Sequence, residues 1–228
     1  MAAVIMAGGL GSRLRPLTDD TPKPMLPIGG RPLLQRIIEQ LKDAAIEQIH
    51  ITTYYQPEKI HDYFGDGAAF GVRLTYSRED QPLGTAGALS MLKVSDEPLL
   101  VINGDVLTKI NYRTMLHFHE YQRADLTMAV HKYAVQVPYG VVKSRGHEVC
   151  DLDEKPVIEF LINAGIYVLQ PEVHGCIPAG RVINMSEFVT MMLQEGRVVV
   201  QYPFLDYWLD IGQPADYERA QSDISRFG

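Results

Sequence analysis

An α/β fold, with a mixed, mainly parallel sheet and helices on both faces, is predicted by three observations. Short apolar runs alternate with segments of helical periodicity through the first half of the chain. The most apolar of these runs stop abruptly at glycine-containing segments, as buried strands feeding loops do. Beyond residue 124 strand-like runs dominate and no Gly/Ser/Pro linker intervenes, so the second half continues the first sheet rather than opening a new one.

In order along the chain, Val4–Ala7 is an apolar run ended by Gly8-Gly9 and predicts the first strand. Leu33, Leu34, Ile37, Ile38, Leu41 and Ala45 recur at helical spacing. Ile49–Tyr54 is β-branched and strand-like, and Pro57 suits the first turn of a short helix carrying Ile60, Tyr63 and Phe64. Val72, Leu74 and Tyr76 alternate with polar residues as in a strand, and Thr85–Leu92 predicts a helix. Leu99–Ile102 is a wholly apolar strand running into Asn103-Gly104-Asp105. In the second half Leu126–Val130, Tyr139–Val142, Val149–Leu152, Ile166–Leu169 and Val198–Tyr202 are expected as strands, with helices over Met185–Leu193 and Ala215–Ile224.

The 228 residues are 46% hydrophobic and 21% charged, which excludes disorder as the main state. Two cysteines, Cys150 and Cys176, exclude a disulfide scaffold and predict buried, reduced thiols in a cytoplasmic protein. No apolar run reaches the ~20 residues of a membrane helix, and the N-terminus lacks a basic leader. A net charge of −7 without a basic run argues against a nucleic-acid partner but leaves room for a small anion held by a few local cations.

Such cations stand after the first strand. In Ala7-Gly8-Gly9-Leu10-Gly11-Ser12-Arg13-Leu14-Arg15 the glycines let backbone N–H groups crowd round phosphate oxygens, and Arg13 adds a fixed positive fork. No Gly-Lys-Ser/Thr follows, and Leu14 stands where a dinucleotide-binding GxGxxG needs its last glycine. Lys23 is mounted between Pro22 and Pro24, a stiff frame for a point charge. Alone, the glycines could be a tight turn and Lys23 a solvated surface lysine. Asp105 follows the most apolar strand, where ligands bind in open α/β sheets, and Asp210 is a second carboxylate in Trp208-Leu209-Asp210-Ile211-Gly212. Either could equally be a turn or cap residue. His117, His119 and Glu120 lack a second histidine at Arg123 and are read as part of a helix. Glu79 to Ala88 places Gly84 and Gly87 at a strand-to-helix turn, with Thr85 a candidate N-cap.

Together, Ala7–Leu14, Lys23-Pro24, Tyr139-Gly140-Val141-Val142, Glu154-Lys155-Pro156, Asn163-Ala164-Gly165-Ile166-Tyr167 and Tyr207–Gly212 resemble the signatures of the sugar-1-phosphate nucleotidylyltransferases. The likeness is greatest to the mannose-1-phosphate guanylyltransferase-like branch. Members of that branch often carry a CBS-domain pair, so the chain is expected to be a free-standing member or one domain of a larger protein. The resemblance implies a Rossmann-like nucleotide-diphospho-sugar transferase fold over residues 1–228, with a nucleotide-binding half at 1–124 and a sugar-phosphate-binding half at 125–228.

It further implies Mg²⁺ on Asp105 and Asp210, and nucleotide contacts from Ala7, Gly8, Gly9, Gly11, Gly84 and Thr85. Glu79 stands at the base reader's position. Gly140, Glu154, Asn163 and Gly165 correspond to the sugar pocket, with Lys155 on the sugar's phosphate, Arg13 on the leaving pyrophosphate and Lys23 near the reacting phosphorus. The implied substrates are an NTP and a sugar 1-phosphate, and a homo-oligomer is compatible with the resemblance. GTP is expected as the nucleotide, because guanine presents two donors that a carboxylate can accept together. UTP, dTTP or CTP, or a binding module without turnover, are the alternatives. A module of that kind would be expected to have lost at least one of these charged groups.

Overall fold

The computed structural model describes residues 1–227. Its organisation starts from strand period two: in β1 (Ala2–Ala7) the side chains of Ala3, Ile5 and Ala7 enter one core and Val4 the other. A short hairpin of β2 (Pro27–Ile28) and β3 (Arg31–Pro32) precedes α1 (Leu33–Asp43), whose Leu34, Ile37, Ile38 and Leu41 line one buried stripe. Then come β4 (Gln48–Thr53), α2 (Pro57–Phe64), β5 (Arg73–Arg78), the single turn α3 (Gly84–Gly87), β6 (Leu99–Asn103), β7 (Val106–Thr108) and α4 (Tyr112–Gln122). The second half holds β8 (Leu126–Gln136), β9 (Val141–Arg145), β10 (Glu148–Asp153), β11 (Val157–Leu169), α5 (Pro171–His174), α6 (Met185–Gln194), β12 (Val199–Phe204), β13 (Trp208–Asp210) and α7 (Pro214–Asp223).

Seven strands form the central sheet in the order β12-β8-β11-β6-β1-β4-β5. Strands β6, β1, β4 and β5 are mutually parallel, β11 runs antiparallel to both β6 and β8, and β12 is parallel to β8. Helices α1, α2 and α4 cover one face, and α3, α5 and α6 cover the other. A third cluster, of Leu14, Leu26, Ile28, Leu33, Leu107, Leu209, Ile211 and Ala220, gathers α7 and the segments around the first loop. The expected mixed, mainly parallel sheet with helices on both faces is therefore present, built with strands from both halves of the chain.

Local departures have physical causes. Ala45 lies beyond α1 with φ +61°, since the helix ends at Asp43 and the chain turns towards β4. The helix expected over Thr85–Leu92 splits into α3 and a 3₁₀ turn at Ala88–Met91. Its opening amides, of Ala86 and Gly87, both donate to the Ile183 carbonyl at 3.0 Å, so α3 is seated on the segment before α6. Strands β8 and β11 run far beyond the apolar stretches that announced them. Their outer halves pair with each other as an exposed ribbon, from Gln136↔Val157 to His131↔Ile162. Cys150 is exposed on β10 and Cys176 is half-buried, so the expectation of two buried thiols fails: β10 belongs to a two-stranded ribbon with no core behind it. His119 is buried in α4 against Thr127 and Gln170, as the helix reading required.

Gly84 shows how tight the α3 seat is. Its φ is +77°, and a Cβ there would stand 2.6 Å from the Ile183 carbonyl oxygen and 2.9 Å from Asn184 Oδ1. Gly84→Ala is expected to cost about 1–3 kcal/mol in urea or thermal unfolding, from left-handed backbone strain and the clash together. An unchanged midpoint would mean that the seat yields freely.

Candidate active site

The chain runs β1, β4, β5 outward across the sheet and then returns to place β6 on the other flank of β1. The loops after β1 and β6 therefore leave in opposite directions, opening a crevice at the C-terminal ends of the strands. The Gly104 amide donates to the Met6 carbonyl at 2.9 Å, so the two strand ends stay together while their loops part. A pocket occupies this crevice, lined by Ala7, Gly8, Gly9, Lys23, Glu79, Gly84, Thr85, Asn103 and Asp105, with Asn184 from the start of α6.

Asp105 and Asp210 meet through the backbone. Strand β13 pairs with β7 at Asp210↔Val106, and the Ile211 amide donates to the Asp105 carbonyl at 3.0 Å. Lys23, in one 3₁₀ turn between two prolines, places Nζ 2.5 Å from Asp105 Oδ2 and 3.8 Å from Asp210 Oδ1. Removal from water, then the Asp105 charge, push the Asp210 carboxyl up; Lys23 and Arg13 pull it back. The Arg13 guanidinium sits beside Gly212, where an added Cβ would be 3.8 Å from its terminal nitrogens.

Glu79 is only 5% exposed. Its Oε2 accepts from the Leu83 amide at 2.8 Å, and its Oε1 lies over Gly8, where a Cβ would come within 2.5 Å. A side chain at Gly8 would have to displace that oxygen. Burial pushes the Glu79 carboxyl up, and the Leu83 amide partly opposes it. Thr85 does not cap its own helix: its hydroxyl accepts from the Met185 amide at 2.9 Å and so caps α6. Gly11 takes φ +62° just before the Ser12–Leu14 turn that carries Arg13, and its carbonyl accepts from the Thr18 hydroxyl at 2.8 Å.

The residues of the second half fall into two places. Asn163 and Gly165 sit in the irregular stretch of β11, and both ends of the Asn163 amide are used: Nδ2 donates to the Tyr167 hydroxyl at 2.5 Å and Oδ1 accepts from the Gly165 amide at 3.0 Å. Gly165 presses on Asn103 of the pocket, where a Cβ would lie 2.6 Å from Nδ2. The Trp208 indole donates to the Ala164 carbonyl at 2.9 Å, tying this stretch to β13 and Asp210. Gly140, Glu154 and Lys155 form a separate group. Glu154 Oε2 would be 3.1 Å from a Cβ at Gly140, and Lys155 follows, exposed, with φ +48°. None of these three lines the pocket.

Asn103 and Asn184 are pocket residues that sequence reasoning passed over. The Asn184–Glu187 capping box is legible as a helix start, but its placement against Gly84 is not. For a cation, the fit is good. Asp105 Oδ1 is buried without a hydrogen-bond partner, both carboxylates are hard oxygen donors, and an ammonium already rests between them. Among the described residues no cluster of three or more His, Cys, Asp or Glu competes as a metal site, and no helix is long and apolar enough to cross a membrane.

Residues 2–226 match the family model described as nucleotidyl transferase. The chain belongs to this family. It is 35% identical to a mannose-1-phosphate guanylyltransferase of Mycobacterium tuberculosis, over 98% of the chain and 64% of that protein. The chain spans under two thirds of this relative's length. It is 34% identical to a D-glycero-alpha-D-manno-heptose 1-phosphate guanylyltransferase of Aneurinibacillus thermoaerophilus, over 100% of both. A structure from Bacillus anthracis, assigned as a glucose-1-phosphate thymidylyltransferase and solved with a sucrose, superposes with a TM-score of 0.79 at 27% identity, covering 97% of this chain and 94% of that one.

In this member of the family the raised Glu79 carboxyl makes the native state bind more protons than the unfolded chain between the ordinary and the raised pKa. Stability contributed by the protonated form is present at low pH and lost as pH rises through that window. Glu79→Gln keeps an acceptor for the Leu83 amide and has no such slope. Urea unfolding across a pH series should therefore show the variant gaining on the wild type from about pH 4 upward, then levelling. A gap independent of pH would overturn the assignment of a raised carboxyl.

Proposed function

We propose that the chain transfers the guanylyl group of GTP to a sugar 1-phosphate, giving a GDP-sugar and pyrophosphate. The observation that carries this reading is the meeting of Lys23, Asp105 and Asp210 in the β1/β6 crevice, beside Gly8-Gly9 and Arg13. Two cations and two carboxylates gathered beside one pocket suit polyphosphate chemistry, in which positioning and charge neutralisation do most of the work.

A sugar 1-phosphate oxygen attacks the α-phosphorus of GTP in line. The new bond joins that oxygen to the α-phosphorus, the α–β bridging bond breaks, and its electron pair leaves with pyrophosphate. No general base is needed, because a phosphate monoester with a second pKa near ~6 is already largely dianionic at neutral pH. Arg13 neutralises the departing pyrophosphate, Lys23 holds the phosphates near the reacting phosphorus, and Lys155 holds the nucleophile. Backbone around Ala7, Gly8, Gly9 and Gly11 lets the phosphates approach closely. Asp105 and Asp210 would hold Mg²⁺, which when bound supplies further charge neutralisation and a template for the two phosphates.

Residues 1–124 supply most of the nucleotide contacts and 125–228 the sugar contacts, from Gly140, Glu154 and Gly165. Asn163 joins them: its amide is oriented by the Tyr167 hydroxyl and the Gly165 amide and keeps a second N–H for a sugar hydroxyl. Glu79 favours guanine: its oxygens carry lone pairs beyond the one used by the Leu83 amide, and guanine's N1–H and 2-amino group are adjacent donors. The two guanylyltransferase relatives, at 34% and 35% identity, support this base over the thymidylyl assignment of the 27% neighbour. Both names specify a manno-configured sugar phosphate, and we extend that configuration to the acceptor here.

Pyrophosphate release with GTP, UTP, dTTP, CTP and ATP against mannose and glucose 1-phosphates should give the highest kcat/KM for GTP with mannose 1-phosphate. Preference for UTP or CTP would overturn the base and leave the reaction class. Lys155→Ala should raise the KM for the sugar 1-phosphate roughly ten- to a hundredfold, the loss of one charge-assisted contact, with the GTP KM little changed. The opposite split would reverse the two ends of the site.

A further inference from the structure

We infer that Lys23 is the chain's own stand-in cation for the Asp105–Asp210 pair, holding the metal's place until nucleotide phosphates draw it away. The inference rests on the transfer reaction proposed above and adds an order of assembly to it. Lys23 Nζ lies 2.5 Å from Asp105 Oδ2 and 3.8 Å from Asp210 Oδ1, and the residue is only 8% exposed. Asp105 Oδ1 is closed off from solvent and Oδ2 is taken by the Lys23 ammonium, so an arriving divalent ion meets no free oxygen of this carboxylate while Lys23 stays. The two carboxylates share this one ammonium, which stands within 4 Å of both and offsets the repulsion between them.

The backbone of Lys23 is stiffened by Pro22 and Pro24, but four side-chain torsions remain free to carry the ammonium elsewhere. Gly8 and Gly9 line the same pocket, so phosphates seated there come within the reach of that side chain. A triphosphate offers more negative charge than the carboxylate pair, and moving Nζ onto it frees Asp105 Oδ2 for the metal. Metal and nucleotide then bind cooperatively, each removing the obstacle to the other. Without nucleotide, the chain holds a divalent cation only weakly.

The test is Mn²⁺ binding to the full chain without nucleotide, followed by electron paramagnetic resonance. Lys23→Met and Lys23→Gln should each bind Mn²⁺ at least tenfold more tightly than wild type; equal or weaker binding in folded variants overturns the inference. Near-ultraviolet circular dichroism reports whether they fold. If neither does, ¹⁵N-lysine NMR of the wild type decides: an ion-paired Nζ signal that shifts on adding GTP without metal supports the exchange, and a signal indifferent to GTP overturns it. Turnover of GTP and mannose 1-phosphate is measured separately on wild type. Turnover with unaltered Mn²⁺ binding in the variants sinks the stand-in cation alone. Tighter Mn²⁺ binding with no turnover of any nucleotide sinks the reaction and leaves the ion exchange standing.

Discussion

The parallel pairing of β1 with β6 is the constraint on which the site depends. Met6 opposes Asn103 in that register, and the Gly104 amide closes onto the Met6 carbonyl at 2.9 Å. The β1 loop and the β6 loop then diverge because the chain has already spent the other flank of β1 on β4 and β5. A crevice at this point is a consequence of strand order, and whatever residues stand at positions 8, 9 and 105 must line it. Asp105 is delivered by one strand end, the glycines by its neighbour, and Asp210 by β13, which is pinned to β7 immediately after Asp105.

Around this junction, supports come from remote parts of the chain. The Ile183 carbonyl takes two amides of α3, the Thr85 hydroxyl caps α6, and Asn184 reaches the pocket from the start of that helix. The loop carrying Glu79, Gly84 and Thr85 is therefore held by α6 rather than by its own short turn. Glu79 is in turn fixed by the Leu83 amide and by the bare Cα of Gly8. A similar economy joins the β11 turn to the carboxylates, through Gly165 against Asn103 and the Trp208 indole on the Ala164 carbonyl.

Electrostatics give the junction its chemistry. Two carboxylates brought together without a counter-ion would repel, and Lys23 relieves that repulsion from a position where proline on both sides limits the backbone. The same ammonium, glycine loop and guanidinium suit a polyphosphate. The hydrophobic clusters do not distinguish this site from that of any other doubly wound sheet; the placement of four charges does.

The sequence by itself determined the alternation of strands and helices, because periods of two and 3.6 survive in residues such as Val4–Ala7 and Leu34–Leu41. It also determined the chemical character of the loops, because a glycine run, a proline-framed lysine and an aspartate after an apolar strand are local patterns. It did not reveal the ribbon halves of β8 and β11, nor the exposure of Cys150, since pairing there continues without a core to impose a pattern. Nor could it show that Thr85 serves α6, that the Asn163 amide is oriented by Tyr167 and Gly165, or that Asn103 and Asn184 face the pocket. Lys23, Asp105 and Asp210 are separated by most of the chain, and their meeting rests on long-range strand register, a property of the folded sheet that no local stretch of residues encodes.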